Sequence, residues 1–315
     1  MTSPRRIRFA VAAHAVTDGP AWMATARRTE ELGYDTLLLP DHTNPQLAPL
    51  VGLLAAALAT TTLRVGTQVL CNDLRNPVIA AKEVASVDLL SGGRFDWGMG
   101  AGWLPSDYHN SGVRLDPPGV RVDRLIESVG LMRSLLAGEA VDHAGTYYEA
   151  RDLVGSPLPV QRPHPPLLIG GARQRLLRFG GAEADIVSIA PSWDSRQVGP
   201  YPPMMTVDEA VDNQIRWARE GAESAGRDFG EVELSVTVMP ATVTDDAASV
   251  FESAGAMHGL TTAQARRAPF ILAGTVAEIC ETVLERRERW GLSYWVVPVE
   301  SLEAMAPVVA SLSGT

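Results

Sequence analysis

Eight short, mainly apolar runs, most of them rich in Val, Ile and Leu and most followed by a stretch of helical period, constrain this chain more than any other feature. The runs cover residues 7–13, 34–40, 63–70, 95–100, 167–170, 185–190, 232–239 and 294–299. Helical periods cover 20–32, 50–60, 78–90, 121–136, 174–180, 207–225, 275–290 and 302–312, with a mixed helical stretch over 245–268. Continuous apolar runs of strand length are the pattern of parallel strands covered on both faces. An open doubly wound sheet alternates in the same way. No G-x-G-x-x-G follows the first run, however, and eight strand–helix units in 315 residues fit a closed (β/α)8 barrel, the TIM-type α/β fold. Residues 138–166, rich in Pro, Gly and Tyr, read as an inserted loop or small hairpin after the fourth unit. No composition shift or internal repeat marks a linker, so residues 1–315 read as a single domain.

Charge and cysteine content narrow the function classes. The net charge is −10 and no basic run exceeds two residues, which excludes a general nucleic-acid binder. Cys71 and Cys280 are too few for a disulfide framework or a structural zinc site. The apolar stretch behind the basic start is too short for a signal peptide, and no window has the length of a membrane span. These features lead to the expectation of a reduced cytoplasmic protein with no membrane partner. Lys82 is the only lysine, the other basic residues being arginines, a bias typical of GC-rich genomes such as those of actinobacteria.

In a barrel of this kind, chemistry gathers where strands end. That rule selects His14, Asp41-His42, residues 68–72, Gly100-Ala101-Gly102-Trp103, Gly170-Gly171-Ala172-Arg173, Pro191-Ser192-Trp193 and Glu300. The set is rich in histidine, glycine and tryptophan and poor in carboxylates. It suits a flat aromatic ligand carrying a phosphate better than a metal cage. His14, His42, Asp41 and Glu300 could ligate a metal, but no H-x-H or H-E-x-x-H spacing occurs, so no metal is expected. No G-x-S-x-G elbow is present for a serine hydrolase. His42 can exchange a proton near neutrality, with the adjacent Asp41 fixing its tautomer; the same pair could instead cap the next helix. The glycines 98, 100 and 102 could let a planar ring approach the backbone, or simply belong to a loop. Gly170–Arg173 precede a helix whose N-terminal N–H groups suit a phosphate, with Arg173 and Arg175 adding charge, or form an ordinary turn. His109, His143, His164 and His258 lie in polar or Pro-rich segments and read as solvated.

Several ordered stretches together resemble the bacterial luciferase-like superfamily, and within it the deazaflavin-dependent oxidoreductases. They are Val65-Gly66-Thr67-Gln68-Val69, Arg75-Asn76-Pro77, Ala80 to Ala85, Asp88 to Phe95, Gly98 to Trp103, Pro166 to Gly171 with Ala184-Asp185, and Gly274-Thr275-Val276. The resemblance implies a TIM-type barrel holding a flavin-like ring. It implies a non-prolyl cis peptide at Gln68-Val69 against the ring, Asp41 and His42 near its reactive face, and ring contacts from Ala101, Gly102 and Trp103. Ile169, Gly170, Gly171, Ala172 and Arg173 match the phosphate-binding loop, and His14 joins the cofactor-binding set. Sugar-phosphate dehydrogenases of the superfamily carry a catalytic glutamate where this chain has Trp103, and the nearest carboxylate here is Asp107. A sugar phosphate is therefore not the expected substrate. Trp22, Trp103 and Trp193 would suit the wall of a pocket for a small, largely apolar molecule.

The leading expectation is an oxidoreductase using coenzyme F420 for hydride transfer, with His42 as proton donor or acceptor. The alternative is a two-component monooxygenase using reduced FMN and oxygen, and a second alternative is a non-catalytic flavin or deazaflavin carrier. A separate reductase that regenerates reduced cofactor and a homodimeric state belong to the same family expectation. The 138–166 insertion and the segment with Met257-His258 and Arg266-Arg267 are expected to cover the pocket.

Overall fold

The computed structural model describes residues 5–191 and 206–315. Its strands are β1 (Arg8–Ala12), β2 (Thr36–Leu39), β3 (Arg64–Thr67), β4 (Leu70–Cys71), β5 (Phe95–Gly100), β6 (Ala140–Ala144), β7 (Glu149–Val154), β8 (Leu167–Gly171), β9 (Ile186–Ile189), β10 (Glu233–Thr237), β11 (Ala241–Val243), β12 (Leu272–Gly274) and β13 (Leu292–Pro298). The helices are α1 (Gly19–Glu31), α2 (Pro49–Leu58), α3 (Pro77–Ser91), α4 (Pro105–Ser111), α5 (Pro118–Ala137), α6 (Gln174–Glu183), α7 (Val207–Ser224), α8 (Ala247–His258), α9 (Thr262–Arg267), α10 (Val276–Trp290) and α11 (Leu302–Leu312).

The main sheet runs β3-β2-β1-β13-β10-β9-β8-β5-β4, and a further pairing of β3 with β5 closes it. This is the strand order of a closed (β/α)8 barrel, with one barrel strand divided into β3 and β4. The run at 63–70, expected as one strand, breaks at Gln68–Val69, whose peptide is cis. The insertion forms the antiparallel hairpin β6–β7. The mixed helical stretch at 245–268 resolves into α8 and α9, separated by Gly259 in the left-handed region and a capping box at Thr261 and Gln264.

By internal packing the chain forms two compact units. One comprises Met1–Ala12, Glu31–Asp35 and Gly170–Thr315. Its strands β1, β9, β10 and β13 pair in parallel and are almost wholly buried, which explains why they read as unbroken apolar runs. Arg8 is clamped between Asp35 at 2.7 Å and Glu233 at 2.6 Å, with its guanidinium 3.7 Å from the Tyr294 ring centroid. Thr206-Glu209 and Thr275-Glu278 form capping boxes that fix the starts of α7 and α10.

The other unit comprises Ala13–Glu30 and Thr36–Ile169. Here β2 pairs with β3, and β5 pairs with β3, β4 and β8. At the N-terminal end of β5 the Arg94 guanidinium donates to Leu63 O at 2.7 Å, Ala57 O at 2.8 Å and Ser91 O at 2.9 Å. Asp88, fully buried, accepts from Gln161 N and Nε2 and so pins the segment after the hairpin. At the other end of the hairpin, Glu127 on α5 accepts the backbone N–H groups of Thr146, Tyr147 and Tyr148 at 3.1, 3.1 and 2.8 Å. Burial opposes its charge, but those donors and His143 outweigh burial and hold the carboxyl below its ordinary range. Trp22, expected as pocket wall, is 2% exposed and donates its Nε1–H to Gly52 O, so it belongs to the core.

Candidate functional site

The C-terminal ends of β2, β4 and β5 bring one part of the expected site together. Gln68 N donates to Leu39 O at 2.9 Å, and Cys71 N donates to Asp41 Oδ2 at 3.0 Å. Gln68 and Val69 are half-exposed between the buried Thr67 and Leu70, so the cis peptide is presented at the strand ends rather than packed away. Gly98 and Gly100 on β5 give that bulge its room. A Cβ at Gly98 would collide with Thr67 O, and one at Gly100 would lie 2.5 Å from Val69 Cγ2. These two glycines thus admit the neighbouring strand. Gly102, at φ +72°, is tight for another reason: a Cβ there would strike the Tyr108 hydroxyl.

His42 and Asp41 are adjacent in sequence but engage different partners. Asp41 is buried and accepts from Cys71 N and from Arg75 Nη1, with which it forms an ion pair. The carboxylate against His42 is Asp107, on α4, with Oδ2 2.7 Å from His42 Nδ1. Its other oxygen accepts Thr43 N at 2.9 Å and Thr43 Oγ1 at 3.1 Å. Burial opposes ionisation of Asp107, yet the Thr43 N–H and His42 outweigh it and hold the carboxyl below its usual range. An ionised Asp107 can only accept, so His42 carries its hydrogen on Nδ1. Nε2 is then an acceptor in the neutral ring and a donor in the charged one. The expectation that Asp41 fixes the tautomer gives way to this geometry. The indole of Trp103 stands 6.3 Å from the imidazole centroid at 85° and is 61% exposed. His14 is exposed at the end of β1, and Ala101 and Gly102 are half-exposed.

Behind this surface lies a polar cluster whose Asp73, Tyr108, Arg121 and Arg124 were not in the expected set. The Tyr108 hydroxyl lies 3.1 Å from Asp73 Oδ2, 3.3 Å from Ala101 O and 3.9 Å from Cys71 Sγ. Arg124 Nη2 approaches the same Asp73 oxygen at 3.1 Å, and Arg121 Nη1 donates to Gly102 O. Burial pushes the Asp73 carboxyl up despite Arg124 and Tyr108, and pushes the Cys71 thiol up as well. Asn72 Nδ2 donates to Tyr148 OH at 3.0 Å, which ties the hairpin to the same turn. Cys71 is buried, as befits a small hydrophobe. The only local sign of this cluster was Pro105 at a helix start followed by Asp107-Tyr108, a segment too short to show a helical period.

In the first unit, Ile189 precedes Ala190, whose N donates to Gly171 O at 3.2 Å, and Gln214 Nε2 bonds Ala172 O and Ala190 O at 3.3 and 2.8 Å. This braces the turn Gly170–Arg173 ahead of α6, where Arg173 and Arg175 are exposed. Ile169, the last residue of the other unit, is buried in β8. Arg267 pairs with Asp208, and Arg266 lies 4.6 Å over the Phe251 ring, so both engage side chains of their own unit. Glu300 is exposed beyond β13. Ser192 and Trp193 lie outside the described residues. Three histidines expected in solvent have protein partners: His143 meets Glu127 at 3.2 Å, His164 Nδ1 is 2.8 Å from Pro165 O, and His258 stacks edge-on to Phe270. Among the described residues, no cluster of three His, Cys, Asp or Glu side chains could hold a metal, and no helix is long and apolar enough to cross a membrane.

The sequence model of the luciferase-like monooxygenase family matches residues 7–306. The chain belongs to that family. Uncharacterized protein Rv0953c of Mycobacterium tuberculosis is 30% identical over 240 residues, which is 69% of this chain and 79% of that one. Among solved structures, an F420-dependent secondary alcohol dehydrogenase in complex with an F420-acetone adduct superposes with a TM-score of 0.79 at 19% identity, covering 98% of this chain and 99% of its own. The coenzyme F420-dependent tetrahydromethanopterin reductase of Methanopyrus kandleri gives 0.78 at 17% identity, with 98% and 100% covered. Monooxygenase RslO1 of Streptomyces bottropensis gives 0.72 at 22%, with 97% and 98% covered. At those identities the three structures establish a shared fold, one found in two F420-dependent enzymes and a monooxygenase.

Proposed function

We propose that this luciferase-like protein is an oxidoreductase that uses coenzyme F420 for hydride transfer to or from a small, largely apolar organic substrate. The observation that carries the reading is the His42–Asp107 pair beside the exposed indole of Trp103. Hydride transfer to a carbonyl leaves an alkoxide that needs a proton, and the reverse needs one removed. A half-buried imidazole with Nδ1–H fixed on a carboxylate does either through Nε2, and the carboxylate steadies the charged ring.

The donor set suits a planar heterocycle. Half-exposed Gln68 and Val69 offer backbone and an apolar side chain, while Ala101 and Gly102 offer a flat stretch of main chain and Trp103 an aromatic face. When bound, the deazaflavin supplies the two-electron hydride chemistry; the protein orients it and limits water. Within the first unit, taken by itself, Arg173 and the α6 N-terminus have the charge and N–H donors that suit a phosphate. The same surface would hold reduced FMN, and the family's monooxygenase members support that as the second reading. Under either reading, a separate reductase or dehydrogenase returns the cofactor to its working redox state.

Titration with F420 and with FMN, each reduced and oxidised, distinguishes them, read by quenching of tryptophan fluorescence. Micromolar binding of F420 with FMN at least tenfold weaker supports the proposal. Tighter binding of reduced FMN moves the assignment to an oxygen-consuming enzyme. Binding of neither removes the cofactor reading altogether.

A further inference from the structure

Helix α4 has seven residues, too few to be stable on its own account, so side-chain anchors decide where it sits. Two consecutive residues supply them in different directions. Asp107 reaches His42 and Thr43, and Tyr108 reaches the turn after β4. Tyr108 is 2% exposed and its hydroxyl lies against Asp73, whose side chain is completely buried. Arg124 on α5 holds Asp73 at 3.1 Å and Asp116, in the loop after α4, at 3.0 Å. The far side of α4 is thus tied to a buried ion pair, while its near side carries the carboxylate of the imidazole.

We propose that Tyr108 is a positioning residue for His42: its bond to Asp73 sets the placement of α4, and through it the 2.7 Å pairing of Asp107 with the imidazole. Without the hydroxyl, α4 is free to pivot about its remaining anchors, Asn110 on Thr43 at 3.2 Å and the Asp107 bonds themselves. The Asp107 bond to His42 then lengthens and the charged imidazole loses part of its support. The charged groups around the ring are Asp107, which touches it, Asp41 with Arg75, which offset one another, and Asp73 with Arg124 behind Tyr108. The inference rests on the reading of His42 as the proton-handling group for its meaning, though its test requires no turnover.

The test is the tautomer of the neutral His42 ring, read from its ring 15N resonances by NMR at high pH in the protein without cofactor and assigned by the signals lost in His42→Gln. Asp107→Asn is expected to shift the ring from the Nδ1–H form toward the Nε2–H form, because the acceptor that fixes Nδ1–H is gone. Tyr108→Phe, which changes no charge, is expected to give a smaller shift in the same direction. Added to Asp107→Asn, it should shift the ratio no further, because the effect passes through Asp107. Asp73→Asn attacks the same bond from the other end and enters the same cycle if Tyr108→Phe folds poorly: only a direct charge effect would survive in the Asp107→Asn background. Tyr148→Phe, which removes a part-buried hydroxyl on Asn72 and not on α4, should leave His42 unmoved. A Tyr108→Phe tautomer ratio coincident with wild type, or a shift fully additive with Asp107→Asn, would overturn the proposal. If His42 shifts as expected but neither cofactor binds, the positioning role stands and the proposed function falls.

Discussion

Arg94 at the start of β5 and His42 beside its end are both partly buried, nitrogen-rich groups held by the protein, yet they are finished differently. Arg94 directs its donors to the main-chain carbonyls of Ala57, Thr60, Leu63 and Ser91, and burial pulls its pKa down. His42 has one nitrogen committed to Asp107, and the aromatic neighbour of its ring is the most exposed tryptophan of the described residues. A closed set of bonds holds strands in register and leaves nothing for a ligand. An open set keeps one valence for chemistry and relies on a neighbour to steady the other.

Arg94→Ala attacks the closed end and should show the largest effect. It leaves the carbonyls of Leu63 and Ala57 without that donor, at an expected cost of about 3–5 kcal/mol in denaturant unfolding. Cofactor affinity of the fraction that stays folded should hold within a few-fold, which comparison of binding isotherms would check.

Asp107→Asn is the mirror experiment. With His42 handling the proton as proposed, turnover is expected to fall about 10- to 100-fold while unfolding free energy moves by roughly 1 kcal/mol, because the lost group orients the imidazole. Equal losses of turnover in both variants would erase the distinction between the two ends.

The smallest effect is expected at Glu30, which caps Thr61, Thr62 and Leu63 just before β3. Burial, the largest single influence, raises its pKa, but the three backbone N–H groups and the Thr62 hydroxyl together outweigh it and bring it to about 2 from 4.5. A folded-state pKa below the unfolded one stabilises above pH 4.5 and loses that contribution as pH falls toward 2. Glu30→Gln should therefore be less stable than wild type at pH 7, by about 1 kcal/mol or less at so exposed a site, and the difference should vanish near pH 2. Urea midpoints across that range would show it.

The barrel was legible because strands buried on both faces must be apolar along their whole length, and β2, β5 and β9 are buried at every position. The pairing at the site was not. Asp41 precedes His42, and adjacency suggested partnership, yet successive residues at a strand end face opposite ways. The actual partner, Asp107, lies 65 residues on, across a seven-residue helix with too little period to announce itself. Gly98 and Gly100 were visible as a pattern but not as a purpose, since only the neighbouring strand's bulge explains them. The roles of Asp73 and Arg124 arise from folding segments 51 residues apart into one contact.

The carboxylate of Glu127 has one more consequence. Hairpin tips ordinarily surrender their amide hydrogens to deuterium at once, being the parts of a fold that open first. Here the amides of residues 146, 147 and 148 all end on a single anion from α5. The tip should therefore keep time with the helix that holds it rather than with the loop it belongs to.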